Sequence, residues 1–212
     1  MRYIIGVDEV GRGCIGGSMF ACGCLILDKD RRDYSFLKDS KKIRDIYERE
    51  KIAHKLIYNP GVIYVVKSFS SDVIDKIGVH NANIQLITKV CDELIYKLHN
   101  RNIYDFEIFV DGNMRIKLEY YPQYSVQSIV KGDNKIEEIK AASIIAKYNK
   151  DCENIELEEL YPQFSFTQHS GYITKKHLQE IEEWGYIPGI HRRSFRTFNK
   201  MENLKKYYPV LS

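Results

Sequence analysis

Short runs of apolar residues, rich in β-branched side chains, predict buried strands along much of the chain. The predicted strands are 3–8, 18–27, 62–69, 107–111 and 124–131. Apolar runs of this length, bounded by turn residues, are typical of strands. The first three are expected to form one antiparallel meander.

Apolar residues spaced three or four apart predict helices between and after the strands. The predicted helices are 42–58, 80–100, 135–150, 152–160, 174–185 and 198–208. The third of them has a small-residue face at 141–143, which can pack closely on a sheet. Mixed strands followed by helices predict the α/β class.

Two adjacent acids, Asp8 and Glu9, close the first apolar run. Carboxylates so close to a core repel each other, and one takes up a proton unless a cation neutralises the pair. An oxygen-only site suits Mg²⁺ or Mn²⁺. Because neighbours on a strand point to opposite faces, Glu9 can join Asp8 only if the strand ends there.

A glycine-framed arginine, Gly11-Arg12-Gly13, follows the two acids. Glycines let a backbone approach a ligand closely, and the arginine fork matches a phosphate. Taken alone, this segment is equally typical of a strand that runs into a tight turn with solvated acids.

Further acids at the ends of apolar segments favour the metal site. Asp111 ends the strand 107–111, and Asp133 closes the run that ends at Val130. Open α/β sheets place their binding crevices at the ends of strands. Four acids in such positions are hard to explain as independent surface residues.

Six motifs in order now resemble one family. They are DEVGRG at 8–13, DSKK at 39–42, VDGN at 110–113, KGD at 131–133, AASIIAK at 141–147 and HRRSF at 191–195. Together they are similar to ribonuclease HII, the type 2 ribonuclease H that cuts DNA strands containing ribonucleotides. The resemblance runs from about Tyr3 to Phe198, nearly the whole chain.

The resemblance implies a ribonuclease H-like fold, with a central mixed sheet flanked by helices and a C-terminal helical subdomain. We expect a catalytic core at 1–165 and a substrate-binding subdomain at 166–212, forming one continuous structural unit. It also implies that Asp8, Glu9, Asp111 and Asp133 are catalytic and hold two Mg²⁺ or Mn²⁺ ions. The implied substrate-binding residues are Gly11, Arg12, Gly13, Ser40, Lys41, Tyr172 and Arg192.

The implied activity is hydrolysis on the 5′ side of a ribonucleotide in duplex DNA, and degradation of the RNA strand of RNA–DNA hybrids. Another nuclease of the same fold, such as a junction resolvase, would also show acids at strand ends. A non-catalytic nucleic-acid-binding protein would keep a basic surface without needing all four acids. Tyr172 has a packing alternative, and 191–193 is equally typical of a solvated charge run.

Charge and cysteine content are typical of an intracellular protein that binds nucleic acid. The formal net charge is +3, and setting aside four clustered acids leaves 32 basic against 29 − 4 = 25 acidic residues. That balance favours a polyanionic partner. Five cysteines without a Cys-x-x-Cys pair argue against zinc, and no signal peptide is recognisable. We expect a cytoplasmic monomer with no membrane span.

The C-terminus resembles the peptide by which replication proteins hold a sliding clamp. Leu204 stands three residues before the aromatic pair Tyr207 and Tyr208, but Met201 takes the place of the usual glutamine. The alternative, which we favour, is that these apolar residues pack back on the body of the protein.

Overall fold

The computed structural model describes residues 2–27, 34, 36–37, 43, 45–201 and 204–207; Ser40, Lys41 and Tyr208 lie outside them. The strands are β1 (Tyr3–Val10), β2 (Met19–Ile26), β3 (Val62–Phe69), β4 (Phe106–Asp111) and β5 (Val126–Ile129). The helices are α1 (Ile46–Ile57), α2 (Ser71–Ile77), α3 (Val79–His99), α4 (Glu137–Leu160), α5 (Phe166–His169) and α6 (Lys175–Trp184). Short 3-10 helices lie at Gly132–Asn134 and Phe198–Lys200.

The five strands form one mixed sheet in the order β3-β2-β1-β4-β5. β1 is antiparallel to β2 and parallel to β4, and β4 is parallel to β5. Because β1, β4 and β5 run in the same direction, their carboxyl ends meet at one edge of the sheet. The mixed sheet flanked by helices confirms the predicted fold class.

Several element boundaries differ from the sequence prediction. β1 continues to Val10 instead of ending at Asp8, and α4 is one helix where two were predicted. α1 begins at Ile46, because the carboxylate of Asp45 caps it by accepting from Tyr47 N. The predicted helix 198–208 is wrong, since among the residues that the structure describes there only Phe198–Lys200 is helical, and Lys206 forms a β-bridge with Tyr186.

The chain divides into two compact units. The sheet unit comprises Met1–Val10, Phe20–Lys67 and Asn83–Asn149. The helical unit comprises Gly11–Met19, Ser68–Ala82 and Lys150–Ser212. The predicted boundary after residue 165 stays a prediction.

In the sheet unit, small residues of α4 share a hydrophobic core with β2. Ala141 and Ala142 belong to the same buried cluster as Cys22 and Cys24. Gly6 of β1 makes the approach of α4 possible, since a Cβ there would lie 2.1 Å from Ile139 N. The start of α4 therefore lies directly against β1.

In the helical unit, an aromatic core ties the C-terminal segment down. Tyr207 is buried, its ring lies edge-on to Tyr161 and Phe164, and its hydroxyl donates to Gln163 Oε1 at 2.8 Å. Leu204 packs against the same cluster. Among the described residues, these contacts agree with the packing interpretation of the C-terminus.

Buried thiols are distributed over both units. Cys22, Cys24 and Cys91 are fully buried in the sheet unit, and Cys14 is buried in the helical unit. Burial raises the pKa of Cys91 to about 12. None of the helices that the structure describes is long and apolar enough to cross a membrane.

Candidate active site

Asp8 and Asp111 occupy adjoining ends of the parallel strands β1 and β4. Val7 pairs with Val110 in this ladder, so the two acids follow the same register position. Gly132 N donates to Asp111 Oδ1 at 2.7 Å, which holds the segment that carries Asp133 beside β4. The sheet thus brings Asp8 and Asp111 to one edge, and the hydrogen bond of Gly132 ties the segment of Asp133 to the end of β4.

The surroundings of Asp8 make its charge costly. Only 7% of the residue is exposed, and burial raises its pKa to about 7. The negative charges of Glu9 and Asp111 act on this pKa in the same direction as burial, whereas the nearby Ser143 hydroxyl and Lys147 ammonium act against it. A carboxyl group so placed is fully ionised at neutral pH only beside an additional cation.

Glu9 is placed differently from Asp8. Because β1 continues through Glu9 to Val10, strand alternation predicts that its side chain leaves the opposite face from that of Asp8. Its charge nevertheless acts on Asp8. The condition for direct partnership of the two carboxylates, a strand ending at Asp8, is not met.

α4 contributes two functional side chains for which the sequence analysis gave no role. Ser143 and Lys147 stand four residues apart on this helix and both act electrostatically on Asp8. The motif at 141–147 already indicated this pair, because residues four apart on a helix, such as Ser143 and Lys147, lie on the same face. The close contact of α4 with β1 at Gly6 sets their position.

The donor set at this edge fits a hard divalent cation. Asp8, Asp111 and Asp133 offer carboxylate oxygens, which Mg²⁺ and Mn²⁺ prefer. Among the described residues, no group of three or more His, Cys, Asp or Glu side chains already surrounds a metal position. Asp111 instead binds Gly132 N, and Asp8 Oδ1 accepts from Glu9 N at 2.8 Å.

Arg192 holds the glycine loop of the helical unit by hydrogen bonds from its buried guanidinium to backbone carbonyls. The residue is 0% exposed, and its Nη1 donates to Gly11 O at 2.7 Å. Its Nε and Nη2 both donate to Gly17 O, at 3.0 and 2.7 Å. A guanidinium so enclosed favours a positioning role for Arg192 over direct contact with substrate.

The outer side of the same loop is open. Arg12 and Gly13 are exposed, and Gly11 adopts φ +85°, a conformation that favours glycine. Tyr172 is 44% exposed and forms a β-bridge with Cys14. A Cβ on Gly13 would lie 3.8 Å from the Tyr172 ring, so the helical unit brings loop and ring together.

A buried ion pair fixes the loop from its other end. Lys150 Nζ lies 2.6 Å from Glu153 Oε2 and donates to Ser18 O at 3.2 Å. Glu153 in turn accepts from Ser18 N at 2.9 Å. Two buried cations, Lys150 and Arg192, therefore satisfy backbone carbonyls of a single loop.

The mixed sheet with acids at adjoining strand ends defines a protein of the ribonuclease H-like fold class. Two solved structures are similar to it. Ribonuclease H2 from Pyrococcus horikoshii OT3 is 26% identical, with a TM-score of 0.71 over 93% of this chain and 96% of that chain. The PCNA:RNase HII complex from Archaeoglobus fulgidus gives 27% identity and a TM-score of 0.67 over 86% and 88%.

Sequence comparison identifies the family within this fold class. The family described as Ribonuclease HII matches residues 5–198. Ribonuclease HII of Francisella tularensis subsp. holarctica is 36% identical over 200 residues, which cover 94% of this chain and 98% of that protein. The chain belongs to the ribonuclease HII family and is a ribonuclease H-type endoribonuclease.

Proposed function

We propose that this protein hydrolyses the phosphodiester on the 5′ side of a ribonucleotide in duplex DNA, leaving 3′-hydroxyl and 5′-phosphate ends. The RNA strand of RNA–DNA hybrids is a second substrate. The observation that carries the proposal is the convergence of buried Asp8 with Asp111 at the ends of parallel strands, in a chain of this family.

Asp8, Glu9, Asp111 and Asp133 are the proposed ligands of two Mg²⁺ or Mn²⁺ ions. Bound there, the metals would supply an activated water and offset charge that develops on the phosphate and the leaving oxygen. Lys147 and Ser143 hold Asp8 toward its ionised form, since both lower its pKa. Glu9 is proposed as a ligand on the family resemblance alone, since strand alternation in β1 places its side chain away from that of Asp8.

The glycine loop is the proposed reader of the 2′-hydroxyl, the group that distinguishes RNA from DNA. Arg192 holds the loop backbone in place, while the exposed Arg12 and Gly13 face outward. Tyr172 is proposed to stack on a sugar beside the cut. Ser40 and Lys41 remain predicted substrate contacts.

The test compares two duplexes of identical sequence, one all-DNA and one with a single embedded ribonucleotide, in Mg²⁺ and separately in Mn²⁺. A site that hydrogen-bonds a hydroxyl rejects an analogue without it by a factor of about 10⁴. We therefore expect complete cleavage of the second duplex, on the 5′ side of the ribonucleotide, while the first stays intact.

Equal cleavage of the all-DNA duplex would contradict the proposal and favour a resolvase-like nuclease. Binding of both duplexes without cleavage in either metal would favour a non-catalytic protein. The Asp8→Asn variant serves as the control for a contaminating nuclease, because any cut that persists in it does not come from this site.

A sliding clamp is a second candidate partner, because the Archaeoglobus fulgidus relative was solved as a complex with PCNA. Binding through Leu204 and Tyr207 would require release of the C-terminal segment, since Tyr207 is buried. Titration of a peptide of residues 199–212 against the cognate clamp tests this; no detectable binding would remove the clamp as a partner through this segment.

A further inference from the structure

Three buried histidines form one connected group inside the helical unit, named here the histidine stack after its two parallel rings. His169, His177 and His191 are 4%, 0% and 2% exposed. The rings of His169 and His177 lie parallel, with centroids 3.8 Å apart and an angle of 9° between their planes. His177 Nε2 and His191 Nε2 lie 3.0 Å apart, so the three rings make one connected group.

Backbone amides fix the tautomers at both ends of this group. Ile187 N donates to His191 Nδ1 at 2.8 Å, so the proton of neutral His191 is on Nε2. Gly171 N donates to His169 Nδ1 at 3.1 Å, so His169 likewise carries its proton on Nε2 and donates to Glu180 Oε2 at 3.0 Å.

These assignments leave one arrangement for His177. Since His191 Nε2–H donates to His177 Nε2, the proton of His177 must lie on Nδ1. That Nδ1–H donates to the backbone carbonyl of Tyr172 at 2.9 Å. A directed chain of hydrogen bonds therefore runs from Ile187 N through His191 and His177 to Tyr172 O.

The carbonyl at the end of this chain belongs to the turn that presents the Tyr172 ring. Tyr172 N donates to His169 O at 2.9 Å, and Gly171 O accepts from Ile15 N at 2.8 Å. Gly16 leaves room for the His177 ring, since a Cβ there would lie 3.1 Å from its Cε1. His177 thus lies against both the loop at Gly16 and the turn at 171–172.

The three rings stay neutral at neutral pH. Burial lowers the pKa of His169 and of His177 to about 4, and it lowers the pKa of His191 well below its ordinary value. The charged groups that act on the stack are Glu180, Glu158, Lys176 and Lys150. Neutrality keeps one acceptor and one donor on each ring, which the directed chain requires.

We propose that His177 is a positioning residue of the ribonuclease reaction: through its Nδ1–H bond to Tyr172 O, it sets the ring of Tyr172 against the substrate. Buried completely, His177 acts through Tyr172 and touches no substrate itself. The proposal rests on the proposed stacking role of Tyr172. It adds that the orientation of this exposed ring is set by a buried tautomer chain.

The first experiment tests the directed chain of hydrogen bonds without substituting any of the three histidines. Long-range ¹H–¹⁵N correlation spectra of the ¹⁵N-histidine-labelled full chain at pH 7 report which ring nitrogen of each of the six histidines carries a proton. We expect Nδ1–H for one buried ring, His177, and Nε2–H for His169 and His191. An Nε2–H tautomer at His177 would overturn the proposal.

The second experiment separates positioning from packing by three variants. In His177→Asn the amide nitrogen takes the place of Nδ1 and keeps the donor to Tyr172 O, whereas His177→Gln keeps a polar group only near the Nε2 position. His177→Leu has neither but preserves more volume than asparagine. The exposed His80 in the same unit supplies the matched control, His80→Asn.

For folded protein, confirmed by near-UV circular dichroism, kcat/KM on the single-ribonucleotide duplex should fall about ten- to a hundredfold in His177→Leu and His177→Gln. His177→Asn should recover most of this loss. A ranking by volume, with asparagine worst, or near-wild-type rates in all three variants would overturn the positioning role. If any variant does not fold, the tautomer spectra still decide.

A Tyr172 variant in the same assay distinguishes failure of this inference from failure of its basis. Tyr172→Ala should lose about ten- to a hundredfold, as expected for one stacked base or sugar. Loss in Tyr172→Ala without loss in the His177 variants rejects the positioning role alone. A wild-type rate in Tyr172→Ala rejects the stacking role as well, while the endonuclease activity itself stands.

Discussion

At the scale of single residues, the most direct test of the site is to remove the charge of each of three carboxylates. Asparagine at Asp8, Asp111 or Asp133 keeps the shape and removes the charge that would hold the metals. We expect cleavage to fall at least about a hundredfold in each variant, the scale of lost electrostatic stabilisation. The rate on the single-ribonucleotide duplex in Mn²⁺ measures it.

A second readout of these variants does not depend on activity. Mn²⁺ should raise the unfolding temperature of the wild-type chain, because a ligand that binds only the folded state stabilises it. The rise should disappear in Asp8→Asn and persist in Asp105→Asn, whose exposed carboxylate pairs with Arg2. Near-wild-type cleavage in all three site variants would show that the assigned site is wrong.

At the scale of elements, the contact of β1 with α4 depends on one glycine. In Gly6→Ala the new Cβ would lie within 2.2 Å of backbone atoms of Glu138 and Ile139, which cannot move as a side chain could. We expect a loss of about 3 kcal/mol in the free energy of unfolding, the upper part of the range for overpacked cores. Urea unfolding measures it.

Gly13→Ala is the control for that substitution. Its Cβ would meet only the Tyr172 ring, at an ordinary 3.8 Å, so stability should change by less than about 1 kcal/mol. Equal loss in both variants would mean that the approach of α4 to β1 is less tight than described.

The elements also show what the sequence could and could not predict. Strand positions came from apolar runs, and β3 was predicted at 62–69 as found. Asp8 and Asp111 were found because each ends such a run. The roles of Arg192 and His177 were out of reach, since their partners Gly11 and Tyr172 depend on tertiary contacts. The prediction of helix 198–208 failed because its apolar residues, such as Leu204 and Tyr207, pack into an aromatic core without helical structure at 204–207.

At the scale of the whole molecule, the histidine stack makes stability depend on pH. In the unfolded chain these rings take up protons near pH 6.5, whereas folded His169 and His177 do so only near pH 4. Their contribution is therefore complete above pH 6.5 and is lost as the pH falls toward 4. Each such group changes the free energy of unfolding by about 1.4 kcal/mol per pH unit.

The measurement is urea unfolding between pH 7 and 4 in an Asp8→Asn background. That background removes a carboxyl whose raised pKa of about 7 would act in the opposite direction. We expect His177→Leu to reduce the pH slope by about one proton. An unaltered slope in His177→Leu would mean that His177 is protonated in the folded state.

The buried thiols are built-in probes of local unfolding. A thiol inside a packed core reacts with an alkylating reagent only when the surrounding structure opens, so its labelling rate reports the free energy of that opening. The labelling rates of Cys22, Cys24 and Cys91 report the opening of the sheet unit. The labelling rate of Cys14 reports the opening of the helical unit. Mass-resolved labelling of the unmodified protein can thus show which unit opens first, and whether Mn²⁺ slows the sheet unit alone.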